Sequence, residues 1–163
     1  MPSWRSLTAR SGKPVSLPPY FVPDLPLLAA IQSCARRGVE ITLILPARND
    51  SAVVAAITSA HYVELLAAHV TLREYHGGLL HAKTLVVDRS VTLVGSANMD
   101  FRSLYMNFEN NIRLYSDDVS RAVAKDKKRF IVGSTPISLE EVQSQSKARA
   151  AFDNLLTNVW LVF

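Results

Sequence analysis

The run Val39 to Leu45, VEITLIL, is nearly all apolar and β-rich. A strand with no polar face cannot turn one side to water, so it must be covered on both sides. The residues before it supply a cover. Asp24 can cap a helix and Pro26 suits its first turn. Leu27, Leu28, Ile31 and Ala35 recur at helical spacing, and Gly38 is a good stop. Pro46 ends the strand. A helix feeding a buried strand commits the chain to a layered α/β structure.

The remaining elements extend that pattern. Asp50 or Ser51 can cap a second helix running to about His69, with Val53, Ile57, Val63 (or Ala60), Leu66 and Ala67 as its buried stripe. Val70 to Tyr75 is a short strand, and His76-Gly77-Gly78 a loop. Leu80 to Val87 and Val91 to Val94 are two strands joined through Asp88-Arg89-Ser90 as a hairpin. Asn110 to Tyr115 is a further strand. Asp117 to about Phe130 is helical, with acids first and bases last, as the helix dipole favours. Ser138 and Glu141 form a possible capping box for a last helix reaching about Val159. The expected class is therefore α/β, a mixed sheet flanked by helices. Residues 1–19, rich in Pro, Ser and Arg, read as an irregular lead-in, and 20–163 as the domain.

The 163 residues are 48% hydrophobic, enough for one globular domain with a core. The net charge of +4 fits a phosphate-bearing partner, lipid or nucleic acid, and equally an ordinary basic surface. Cys34 is the sole cysteine, so no intrachain disulfide is possible, and its apolar helical setting makes it a core residue. No segment approaches the roughly 20 apolar residues of a membrane span. The closing NVWLVF is apolar but short, and is expected to dock on the core. P-loops and GxGxxG runs are absent, so nothing supports a nucleotide cofactor.

Chemistry concentrates in HAKTLVVD, which carries His81, Lys83 and Asp88, and in GSANMD, which carries Gly95, Ser96 and Asn98. Alternation along a strand points His81 and Lys83 the same way. The hairpin would bring them to Ser96 and Asn98 at one end of the sheet, with Gly95 letting the backbone come close to a ligand. Lys83 offers a positive charge to phosphate oxygens, Asn98 an amide donor and Ser96 a hydroxyl. His81 can be a nucleophile or a general acid/base. No carboxylate cluster accompanies them, so the expected mechanism needs no metal and no cofactor, with fixed donors stabilising the developing charge. A catalytic histidine needs a partner to fix its tautomer, and Glu109, in NFENN, is the best candidate. Asp88 would face away and is given a structural role, pairing with Arg102 or another donor. H-x-K-x4-D alone arises by chance in on the order of one in a hundred chains of this size, judged from ordinary residue usage. Adding G-S-x-N on the next strand makes coincidence a poor account. His61 and His69 lack ligand partners, and His76 could flank the site.

HAKTLVVD followed by GSANMD resembles the HKD signature of the phospholipase D superfamily. With YFVPD, RRGVEITLILP and NFENN, the text from about Tyr20 to Phe130 is similar to the second half of bacterial cardiolipin synthase. The resemblance implies phosphatidyl transfer between phosphatidylglycerol molecules through a phosphohistidine. His81, Lys83, Ser96 and Asn98 fall on matching motif positions, and Glu109 on the acid that follows them. In two-motif enzymes the second-motif histidine is usually the general acid, so that role falls to His81. A membrane surface is the implied setting, with this chain peripheral on a bacterial cytoplasmic membrane.

The chain departs from that family in having one HKD motif and no N-terminal membrane region. The expected partners are therefore phosphatidylglycerol or a related phospholipid, and either a separate HKD half or a second copy of the chain. Two other readings stand beside this one. A homodimeric single-motif phosphodiesterase or nuclease would turn the basic charge toward a nucleic-acid backbone. An inactive fragment would keep the motif without its partner.

Overall fold

A computed structural model describes residues 20–78, 80–87 and 89–144, and the backbone alone of residues 14–17. The described elements run β1 (Pro14–Leu17), β2 (Phe21–Val22), α1 (Leu25–Arg36), β3 (Glu40–Pro46), α2 (Ala52–Ala60), α3 (Tyr62–Ala67), β4 (Thr71–Tyr75), β5 (Thr84–Val87), β6 (Val91–Gly95), β7 (Met99–Asp100), α4 (Phe101–Tyr105), β8 (Asn111–Tyr115), α5 (Asp117–Val132), β9 (Ser134–Pro136) and α6 (Leu139–Gln143). Seven strands form one mixed sheet in the order β8-β6-β5-β1-β3-β4-β9. β1, β3 and β4 are parallel neighbours. β5, β6 and β8 continue from β1 as an antiparallel meander, and β9 closes the opposite edge against β4.

Helices cover both faces, as the apolar β3 requires. Leu27, Leu28, Ile31 and Ala35 of α1, Tyr62 and Leu65 of α3 and Val142 of α6 share one core with Ile41, Leu43 and Leu45 of β3, Leu72 of β4 and Leu85 and Val87 of β5. Alternate residues turn to the other face, where α5 lies. There Tyr75 meets Phe130 edge-on at 5.3 Å, and Thr92 donates to Ser120 at 2.9 Å. A mixed sheet flanked by helices is thus the observed class.

The capping signals were legible. Asp24 accepts from the Leu27 N–H, Ser51 caps α2, and Ser138 with Glu141 forms the capping box of α6. Gly38, at φ 84°, closes α1 in a left-handed turn. Residues 145–163, including the rest of the expected last helix and NVWLVF, lie outside the described residues, as does Asp88.

Three expectations need correction. The expected lead-in contains β1, which pairs on both sides at the middle of the sheet. Four residues bounded by prolines carry little strand signal, but backbone hydrogen bonds from both neighbours hold them. The helix expected up to His69 is two helices that meet at His61. The buried positions are Val54, Ile57, Thr58, Tyr62 and Leu65, and Val53 and Val63 are exposed. Finally, the strand expected from Leu80 starts only at Thr84, where its ladder with β6 begins at Val94.

Candidate active site

The site is built where the start of β5, the end of β6 and the start of β8 come level. The register sets Thr84 opposite Val94, and Gly95 opposite Asn111. Beyond the strand ends, the Gly95 N–H donates to the Lys83 carbonyl at 3.2 Å, and the Ser96 N–H to the Asn110 carbonyl at 3.0 Å. These bonds carry the ladder into the two motifs and fix one against the other.

His81 and Lys83 precede the regular strand, yet their side chains meet as alternation predicts. Lys83 Nζ lies 2.5 Å from His81 Nε2. An ammonium only donates, so Nε2 is the accepting atom in this contact. His81 is exposed and Lys83 half-buried. The nitrogen held by Lys83 is thus a lone pair at the open end of the sheet.

Ser96 donates its hydroxyl to Glu109 Oε2 and accepts the Asn110 N–H at 3.0 Å. Asn107 Nδ2 donates to Glu109 Oε1 at 3.3 Å. The Ser96 hydroxyl, the largest influence, holds the Glu109 carboxyl below the usual carboxylate range; burial, next in size, opposes it, and Asn107, Ser103 and the Lys83 charge add to the lowering. Asn98 is half-buried, and its Oδ1 is buried without a hydrogen-bond partner among the described residues.

The expected pairing of Glu109 with His81 takes a different form. In the described structure Glu109 bonds to Ser96 and Asn107, while His81 bonds to Lys83. Gly95 also leaves room for the neighbouring strand. A Cβ there would fall 2.1 Å from Asn111 Oδ1 and 2.4 Å from the Asn110 carbonyl, so β8 itself makes the close approach. The expected pairing of Asp88 with Arg102 lies outside the described residues.

Sequence reasoning missed the support of the GSANMD loop. Met99 and Asp100 pair in parallel with Phe21 and Val22, forming the two-stranded sheet β2-β7. Asp100 then caps α4 by accepting the Ser103 N–H at 2.6 Å. Two-residue strands leave no periodic signal; the apolar Phe21 and Met99 were the available hints. His61 bonds Glu64 at 2.6 Å, and Gln32 donates to the same carboxylate at 3.1 Å. No three His, Cys, Asp or Glu side chains converge as a metal site would require among the described residues. No described helix is long and apolar enough to cross a membrane.

A mixed α/β sheet with His-x-Lys and Gly-Ser-x-Asn brought to one end defines a phospholipase D-type domain. Residues 12–134 match the family described as "Cardiolipin synthase, PLD-like domain", and the chain belongs to that family. It is 38% identical over 128 residues to a cardiolipin synthase of Clostridium perfringens, covering 78% of this chain and 27% of that protein. It is 50% identical over 100 residues to cardiolipin synthase A of Klebsiella pneumoniae, covering 61% of this chain and 20% of that one. The chain therefore spans about a quarter of the length of these relatives. Among solved structures, the phospholipase D family member Nuc from Salmonella typhimurium superposes with a TM-score of 0.66 at 15% identity, over 79% of this chain and 84% of that chain. Phosphatidylserine synthase from Haemophilus influenzae gives 0.65 at 17% identity, over 90% and 42%. These two likenesses concern the fold.

Proposed function

We propose that this chain is one half of a cardiolipin synthase-type phosphatidyltransferase acting on phosphatidylglycerol or a related phospholipid. The observation that carries the reading is the convergence of His81 and Lys83 with Ser96 and Glu109 at one sheet end. Lys83, Ser96 and Asn98 bind the non-bridging phosphate oxygens, and their fixed positions favour the charge that builds up during transfer. A phosphate oxygen entering the site takes the Lys83 ammonium and frees His81 Nε2.

The reaction then has two steps. A histidine on the second half attacks phosphorus and forms a P–N bond, while the bond to the leaving glycerol oxygen breaks. The freed His81 Nε2, having taken up a proton from solvent, gives it to that oxygen. In the second step His81 takes the proton from the hydroxyl of the acceptor phosphatidylglycerol as its oxygen displaces the histidine. Glu109 supports the site by orienting Ser96, and is the carboxylate available to a histidine when the second half closes over it. Asp88 has a structural role.

The second half fits over the apolar rim of the site. Phe101, Tyr105, Met106 and Ile112 are exposed, and Phe108, next to Glu109, is fully exposed. Side chains of this kind beside a one-histidine site favour a protein surface that completes it. The assembled enzyme would work at the inner face of a bacterial membrane, with this chain peripheral to it.

The test pairs this chain with the first HKD half of a cardiolipin synthase and follows labelled phosphatidylglycerol by thin-layer separation of products. Cardiolipin should form, and His81→Ala should reduce its formation by at least about a thousandfold, the scale of losing an acid/base with its partner step. Unchanged turnover in that variant would remove His81 from the mechanism. A second reading, a homodimeric phosphodiesterase or nuclease, is favoured by the fold-level match to most of the Nuc chain, itself of comparable length to this one. Cleavage of nucleic acid by this chain alone, without lipid transfer, would select it. An inactive fragment would give neither product.

A further inference from the structure

The helix α5 is unusual in what it buries. Among its 16 residues the two buried side chains are Ser120 and Lys127, both polar. Seven positions apart, they lie two turns along one face. Each reaches a strand of the site hairpin. Ser120 receives the Thr92 hydroxyl of β6, and Lys127 Nζ donates to the Thr84 carbonyl of β5 at 2.5 Å. An apolar side chain would be the ordinary choice beneath a sheet, and burying an ammonium is costly. A buried carbonyl left without a donor is costly too. Thr84 stands beyond the reach of β1, whose pairing with β5 covers Val86 and Val87.

We propose that Lys127 is a positioning residue for the phosphate site, holding the Thr84 carbonyl from below and thereby fixing Lys83 and, through it, His81. Thr84 directly follows Lys83. The Lys83 carbonyl is held by the Gly95 N–H at 3.2 Å, and the Thr84 carbonyl by Lys127, so consecutive peptide groups are pinned from two sides. With its backbone fixed, Lys83 keeps its ammonium on His81 Nε2. The side chain of Lys127 is 7% exposed, which places it in support of the site and out of contact with substrate from solvent. Burial pushes the Lys127 ammonium down to about 8. This inference rests on His81 and Lys83 forming a phosphate site.

The experiment uses the full chain, the variants Lys127→Met and Lys127→Arg, and inorganic phosphate as probe. The His81 ring resonances are recorded by NMR without ligand and during phosphate titration, with thermal melting as a check of fold. Lys127→Met should keep the fold, shift the His81 resonances in the direction that Lys83→Met shifts them, and weaken phosphate binding about fivefold, the scale of one lost hydrogen bond. Lys127→Arg, which keeps a donor, should restore part of both effects. Unchanged His81 resonances in Lys127→Met would overturn the proposal, whatever the phosphate affinity. Loss of fold in both variants would overturn it as well, by assigning Lys127 to the core. If Lys83→Met and His81→Ala leave phosphate binding intact, the failure lies with the phosphate site itself.

Discussion

Ser96 links the two sides of the site through one oxygen, donating to Glu109 and accepting from the Asn110 N–H. That hydroxyl is the largest influence keeping the Glu109 carboxyl below the ordinary range. Ser96→Ala should therefore raise the Glu109 titration toward its ordinary value, read by carboxyl carbon NMR. A titration that stays where it was would remove Ser96 as the cause. The sign follows from the lowered folded value: the favourable contribution is present above the ordinary carboxylate range and is lost as pH falls through the lowered one. At this scale the residue types of the site were legible, because phosphate chemistry asks for a cation, neutral donors and a proton carrier in close order. Their pairing was less so. Alternation along a strand relates His81 to Lys83, but it says nothing of which hydroxyl will reach Glu109 from the neighbouring strand.

The elements show where sequence patterns carry and where they fade. β3 and α1 were legible because a fully apolar strand and a capped amphipathic helix each leave a long periodic trace. β1 and the pair β2-β7 were not, since strands of two to four residues are stabilised by their neighbours. His69 illustrates a local compromise. It adopts φ 68° just past α3, with its own N–H on the Leu66 carbonyl and the Val70 N–H on the Leu65 carbonyl, the position glycine usually holds. His69→Gly should stabilise the fold by about 0.5–1 kcal/mol in chemical denaturation; a loss of stability would show that the ring makes a compensating contact. On α5, the low value of Lys127 makes a further prediction. Between about 8 and 10.5 the folded chain sheds this proton before the unfolded chain does, so stability rises with pH across that window. The gain relative to Lys127→Met should reach at most about 3 kcal/mol, and the measurement is the difference in unfolding free energy between the two proteins at pH 7.5 and 10.5. A flat difference would mean that burial does not disfavour the charged form.

For the whole molecule, a folded site adjoins an open apolar rim. Strand ends, the β2-β7 clasp and α5 hold the polar groups from within the chain, while Phe101, Tyr105, Met106 and Phe108 face outward beside them. The sequence indicated the family and the single motif; it did not reveal the rim, because exposed apolar residues on short elements share no period with the core. The central claim is that this chain is a half-site completed by a second HKD half. The most direct measurement is cardiolipin formed from labelled phosphatidylglycerol by this chain alone, by a first HKD half alone, and by the two mixed at increasing ratio. Little or no product is expected from this chain at dilutions where it is monomeric, with product that rises and saturates on mixing. Phe108→Asp should weaken that saturation. Full transferase activity from the monomeric chain alone would contradict the central claim.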